Sequence, residues 1–201
     1  MSATITASDV KALRDQTGAG MMDCKAALTE AGGDMDKAVE IIRVKMGNKV
    51  GKLAGRETSE GTVQAYIHAT GKVGVLVEVD CNTDFVATNE DFVAFAKDVA
   101  LHVAALPTTR WVSVEDVPED VKDAERRVYE QQLENVPEQA RGKAGEGKLR
   151  KWYEEVVLLA QPHVNADKHE GKTIEQLRAD LSAKTGENVV IRRFSRFAVG
   201  E

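Results

Sequence analysis

Thr62-Val-Gln-Ala-Tyr-Ile-His68, the turn Ala69-Thr-Gly-Lys72, and Val73-Gly-Val-Leu-Val-Glu-Val-Asp80 together decide the fold class of this 201-residue chain. In the first run Val63, Ala65 and Ile67 alternate with Gln64, Tyr66 and His68, the two-residue period of a half-buried strand. The second run is rich in valine, which suits a pleated surface. Two such runs with a short connection predict an antiparallel hairpin. Everything around the hairpin reads as helix, with one further strand at Asn188–Val199, where apolar residues occur on both faces. The expected fold is therefore α+β, about three antiparallel strands with helices packed on one side.

Upstream, residues 1–46 read as three short helices. Thr6 or Ser8 caps the first, Val10 and Leu13 share its inner face, and Gly18 stops it. The second runs from Met21 to Ala31 with Cys24, Leu28 and Ala31 at helical spacing, and Asp34 caps a third carrying Ala38, Ile41, Ile42 and Met46 inward. Gly47-Asn-Lys-Val-Gly-Lys-Leu-Ala-Gly-Arg56 is basic and glycine-spaced, which disfavours a long helix. The expected organisation is a helical module over 1–46, a linker over 47–61 and an α+β core over 62–201.

Downstream of the hairpin, Cys81–Thr88 reads as a loop. Asn89 then opens a helix through Leu106 with Phe92, Phe95, Ala96, Val99 and Val103 as its apolar stripe, closed by Pro107. Residues 113–135 form a charged helix with Val121, Ala124, Val128 and Leu133 inward. Residues 138–160 form another, weakened by Gly142, Gly145 and Gly147, with Trp152, Val156 and Leu159 as its buried positions. Thr173-Ile-Glu-Gln176 is a capping box for a helix carrying Leu177 and Leu181 and ended by Gly186.

Composition narrows the function classes. The chain carries 27 Lys and Arg against 33 Asp and Glu, net −6, and residues 57–135 alone hold 6 basic against 16 acidic side chains. An acidic middle argues against wrapping a nucleic-acid backbone. No apolar run reaches the roughly 18 residues a membrane span needs, and no signal peptide is visible at the start. Two cysteines, Cys24 and Cys81, make no disulfide framework, so a reducing cytoplasmic setting is expected. No Cys and His fall at metal-ligand spacing, and there is no nucleophile elbow, no H-E-x-x-H and no P-loop. A protein-interaction role without covalent chemistry, with no cofactor, is the reading these absences leave.

Two stretches are unusual for a plain scaffold. Around Thr17-Gly-Ala-Gly-Met-Met-Asp-Cys-Lys25, preceded by Arg14, adjacent Met21 and Met22 begin a helix. Either one of them is core, or the pair is an adaptable apolar contact surface. After the valine strand comes Asn82-Thr-Asp-Phe-Val86. Either Asp84 caps the next helix with Phe85 packed beneath it, or Phe85 is presented on a loop held by the strand.

These stretches, with Gly74-Val-Leu-Val-Glu-Val-Asp-Cys-Asn-Thr-Asp-Phe-Val-Ala87 and Gly186-Glu-Asn-Val-Val-Ile-Arg-Arg-Phe194, resemble bacterial translation elongation factor Ts from about residue 5 to residue 200. The resemblance implies a ubiquitin-associated-like three-helix bundle at the N-terminus. It also implies guanine nucleotide exchange on elongation factor Tu, with Mg²⁺ dislodged from that GTPase. By the same resemblance Thr83, Asp84, Phe85 and Val86 form the element that displaces the Mg²⁺, and Arg14, Met21 and Met22 form the docking contacts. A single valine hairpin resembles the short members of the family, which implies a homodimer in a two-to-two complex with Tu. Two competing readings are a binding adaptor, which has no need of the Thr83–Val86 loop, and a hydrolase built on Cys81 and a histidine.

Overall fold

The computed structural model describes residues 5–201 and is an α+β fold with a three-stranded antiparallel sheet in the order β1-β2-β3. The strands are β1 (Glu60–Ile67), β2 (Val73–Cys81) and β3 (Val190–Ala198). The chain resolves into two compact units. One comprises the described part of residues 1–62 with 79–93 and 178–190, and the other comprises 63–78, 94–177 and 191–201.

In the first unit, α1 (Ala7–Thr17), α2 (Met21–Glu30) and α3 (Met35–Leu53) make a bundle around Leu13, Cys24, Ala27, Leu28, Ala38 and Ile42. Thr6 caps α1 in a reciprocal box: its hydroxyl accepts from the Asp9 amide and Asp9 Oδ2 accepts from the Thr6 amide at 2.9 Å. Gly18 ends α1 at φ 67°, a conformation in which Cβ would be costly, and Asp34 caps α3 through the Lys37 amide. The stretch from Gly47 expected as a linker is helical to Leu53. Each glycine inside a helix costs about 1 kcal/mol against alanine. Here that cost is offset by tertiary contacts, the burial of Leu53 and a 2.8 Å hydrogen bond from Lys49 Nζ to the Ala183 carbonyl.

The loop expected over Cys81–Thr88 contains a one-turn helix, α4 (Asp84–Ala87), and α5 (Glu90–Ala105) follows. Phe92, Phe95, Ala96, Val99 and Val103 are all buried along α5.

In the second unit, α6 (Glu119–Gln132) and α7 (Glu138–Val156) pack on each other as a helical hairpin. Its joint is polar: Arg141 donates to the carbonyls of Val136 and Glu134, and Lys148 Nζ donates to Gln132 Oε1 at 2.7 Å. Val128, expected to be buried, is exposed, and α6 has no buried residue of its own. Val156 is buried as expected, but Leu158 rather than Leu159 is fully closed to solvent. The helix stops at Val156, and Val157 turns extended to bridge Trp111, so the helical spacing no longer applies. Short α8 (Ala166–His169) follows, and α9 (Ile174–Thr185) starts from the Thr173–Gln176 capping box.

The sheet strands in this unit are one-sided. Val75 and Val77 are closed to solvent, whereas Leu76 of β2, Val63 and Ile67 of β1, and Phe197 of β3 are exposed. The apolar set of β1 therefore faces outward and its polar set is half-buried, the reverse of the usual arrangement for a solvated sheet.

His102 lies fully inside this unit. The Val164 amide donates to its Nδ1 at 3.1 Å, so the ring is the neutral tautomer whose Nε2–H donates to Gln161 Oε1 at 2.9 Å. Burial pushes its pKa down from 6.5 to about 4, with the facing Gln161 working the other way and His163 adding to the fall. The unfolded state therefore binds the extra proton first. Stability is full above pH 6.5 and falls as pH drops toward 4, by on the order of 3 kcal/mol from this group. Urea unfolding at stepped pH measures the loss, and a His102→Gln chain is expected to show a shallower acid slope; an equal slope would refute this assignment.

Candidate functional site

Strand β2 ends in Val79, Asp80 and Cys81, all buried, and hands the chain directly to Asn82 and Thr83. Thr83 is extended, at φ −130° and ψ 153°, and its hydroxyl accepts from the Val86 amide to cap α4. Thr83, not Asp84, is thus the cap. Val86 and Ala87 are buried, and at 100° per residue Phe85 then points away from them. Its side chain is 81% exposed, so it is not packed beneath the loop.

An apolar ring held in water needs a stiff support, and the loop has one. The Glu187 carboxylate accepts from the Asn82 amide at 3.0 Å, the Thr83 amide at 3.1 Å and the Thr83 hydroxyl at 2.6 Å. Asn82 Oδ1 accepts from the Asn188 amide at 2.8 Å, and the Asn188 carboxamide donates to the carbonyls of Ala54 and Arg56 just past α3. Gly186 at φ 75° ends α9 and turns the chain into this pair. Thr88 closes the far side, its hydroxyl bonding to the carbonyls of Asp84 and Phe85. None of Asn82, Glu187 and Asn188 was singled out as a site residue from sequence. The Gly186-Glu-Asn188 triplet stood in a recognised motif, but its partner lies more than 100 residues away.

The second group of expected residues lies on the bundle of the same unit. Met21 and Met22 are 56% and 76% exposed at the start of α2, since Cys24, Ala27 and Leu28 already fill its inner face. Arg14, in the last turn of α1, and Met21 line a cleft of about 620 Å³ with Lys45, Lys49 and Lys184. Asp23 lies in the same cleft, beside Gly20 at the otherwise uncapped start of α2.

The His102 and His163 rings are both engaged through Nδ1 and Nε2 with backbone and Gln161 partners. Among the described residues no three His, Cys, Asp or Glu side chains come together as metal ligands, and no helix is long and apolar enough to cross a membrane.

Residues 4–170 match the family described as Elongation factor TS. Similar curated proteins include Elongation factor Ts of Syntrophobacter fumaroxidans, 49% identical over 202 residues covering 100% of this chain and 99% of that one. Elongation factor Ts of Syntrophus aciditrophicus is 48% identical over 98% of this chain and 97% of its own length. That of Geobacter metallireducens is 48% identical over 98% and 91%.

Cys81 bears on the hydrolase reading. Burial, then the Glu187 charge, pushes its thiol up to about 11, and the retained S–H donates to the Thr83 carbonyl at 3.2 Å. At about pH 8 the thiolate fraction is on the order of 0.1%, too small for a nucleophile. Iodoacetamide is expected to leave Cys81 unmodified in the folded chain and to label it in urea, as read by peptide mass; rapid labelling of the folded chain would restore the hydrolase reading.

Proposed function

The chain belongs to the elongation factor Ts family, and on that premise we infer that it is the guanine nucleotide exchange factor of elongation factor Tu in translation elongation. It works in the cytoplasm, speeds GDP release so that Tu can take up GTP, and forms no covalent bond with either partner. The observation that carries the mechanism is a rigidly held, solvent-facing Phe85 on the same compact unit as the exposed Met21 and Met22. Residues 1–46 act as the docking module, through Arg14, Met21 and Met22. Thr83, Asp84, Phe85 and Val86 form the element that enters the nucleotide domain of Tu and displaces its Mg²⁺, leaving the GDP phosphates without their counter-charge.

Exchange of this kind is a reciprocal coupling. A factor that binds nucleotide-free Tu more tightly than Tu·GDP must be weakened by GDP to the same extent. Burial of one phenylalanine side chain contributes about 1.5–3 kcal/mol, which is about one to two decades of release rate. Further acceleration draws on the methionine and arginine contacts, whose binding energy is spent on distorting the GTPase. Stopped-flow release of fluorescent GDP from Tu is therefore expected to accelerate with micromolar wild-type chain. Phe85→Ala is expected to keep part of the binding and to lose about 10–100-fold in release rate. An unchanged rate in that variant would remove the role of Phe85, and no acceleration by the wild type would remove the exchange role altogether.

The working unit is a homodimer, forming a two-to-two complex with Tu. The open sheet supports this reading: Val63, Ile67, Leu76 and Phe197, exposed apolar side chains, lie on its three strands. A self-complementary face of this sort suits a two-fold axis. Sedimentation equilibrium is expected to give the mass of two chains for the wild type and of one chain for Phe197→Glu. A wild-type mass of one chain would overturn the dimer.

A further inference from the structure

We infer that Glu187 is a positioning residue for exchange, acting through the Thr83 loop to hold Phe85 in its presented orientation. The inference rests on the exchange reading above and adds a residue to it from the opposite end of the sequence.

Three observations carry it. The Glu187 carboxylate accepts three hydrogen bonds from the loop, from the Asn82 amide, the Thr83 amide and the Thr83 hydroxyl. Glu187 lies two residues beyond the end of α9, and none of these bonds reaches that helix, so the side chain is not serving it as a cap. A carboxylate is the acceptor of choice here, because it offers two oxygens and about four lone-pair sites, while glutamine offers one oxygen and brings an NH₂ toward three donors. Charge assistance makes such bonds shorter and stronger than neutral ones, and the 2.6 Å contact to the Thr83 hydroxyl is of that kind.

The neighbouring residue extends the tie. The Asn188 amide donates to Asn82 Oδ1, and its carboxamide reaches the carbonyls of Ala54 and Arg56 after α3. The segment 187–188 thus fastens the Phe85 loop on one side and the end of the third bundle helix on the other. Both anchor points belong to the same compact unit. Docking through the bundle then delivers Phe85 at a set position, and the gain comes from orientation rather than from new contact.

The test is GDP release from Tu by full-length Glu187→Gln, titrated to saturation. The maximal release rate is expected to fall about tenfold, the loss that accompanies one charge-assisted hydrogen bond, while the half-saturating concentration moves by less than about threefold. Native-state hydrogen exchange on the free chain is expected to show faster exchange at the Asn82 and Thr83 amides. A maximal rate within about twofold of wild type, or unchanged amide protection in Glu187→Gln, would overturn the positioning role. A wild-type chain that leaves GDP release unaltered would overturn the exchange reading instead, which separates the two failures.

Discussion

Val75, Val77, Val79 and Cys81, alternate residues along β2, are all closed to solvent. Burial of that face contributes about 1.5–3 kcal/mol per valine, and it also sets the register. A slip of one residue would turn Leu76, Glu78 and Asp80 to the Val75 side, which the pleat forbids at a cost far above any local gain. The Asn82–Val86 loop starts from the buried Val79–Cys81 end of the strand, and the Glu187 and Asn188 hydrogen bonds orient it.

This constraint explains why apolar side chains are exposed where they are. Phe85, Met21 and Met22 stand in water, yet none is loosely held. Phe85 is backed by the buried Val86 and Ala87, and the methionines start a helix whose inner face is closed by Cys24 and Leu28. Such exposure destabilises the free chain slightly and becomes favourable only against a partner. The outward Val63, Ile67, Leu76 and Phe197 have the same logic on the other unit. Buried polar groups, by contrast, are used for structure: His102 and Thr109 both bond to the Gln161 carboxamide oxygen.

Much of this was legible in residue order, and the parts that were not share a cause. Helix caps at Thr6 and Asp34, the stop at Gly18 and the valine hairpin depend on neighbours within a few residues, so local chemistry suffices. The continuation of α3 through Gly47 and Gly51 was not legible, because what sustains it is Leu53 burial and a bond from Lys49 to Ala183. The outward face of β1 was not legible either, since alternation gives two faces without saying which one the core covers. Leu159 gave way to Leu158 because the chain turns extended at Val157 to bridge Trp111, ending the helix at Val156, four residues short of the expected residue 160.

The candidate site divides in the same manner. Residue order by itself determined the α+β class, the Met21-Met22 and Thr83–Val86 motifs and, through them, the family. It left open whether Phe85 was packed or presented, because both outcomes satisfy the same four residues. Tertiary structure decided that question by two interactions: burial of Val86 and Ala87 from one side, and the Glu187 carboxylate on Asn82 and Thr83 from a segment more than 100 residues away. Hydrogen bonds of that span carry no period and no local signature in the chain. They exist only once the strand, the helix end and the loop have been brought within 3 Å of one another.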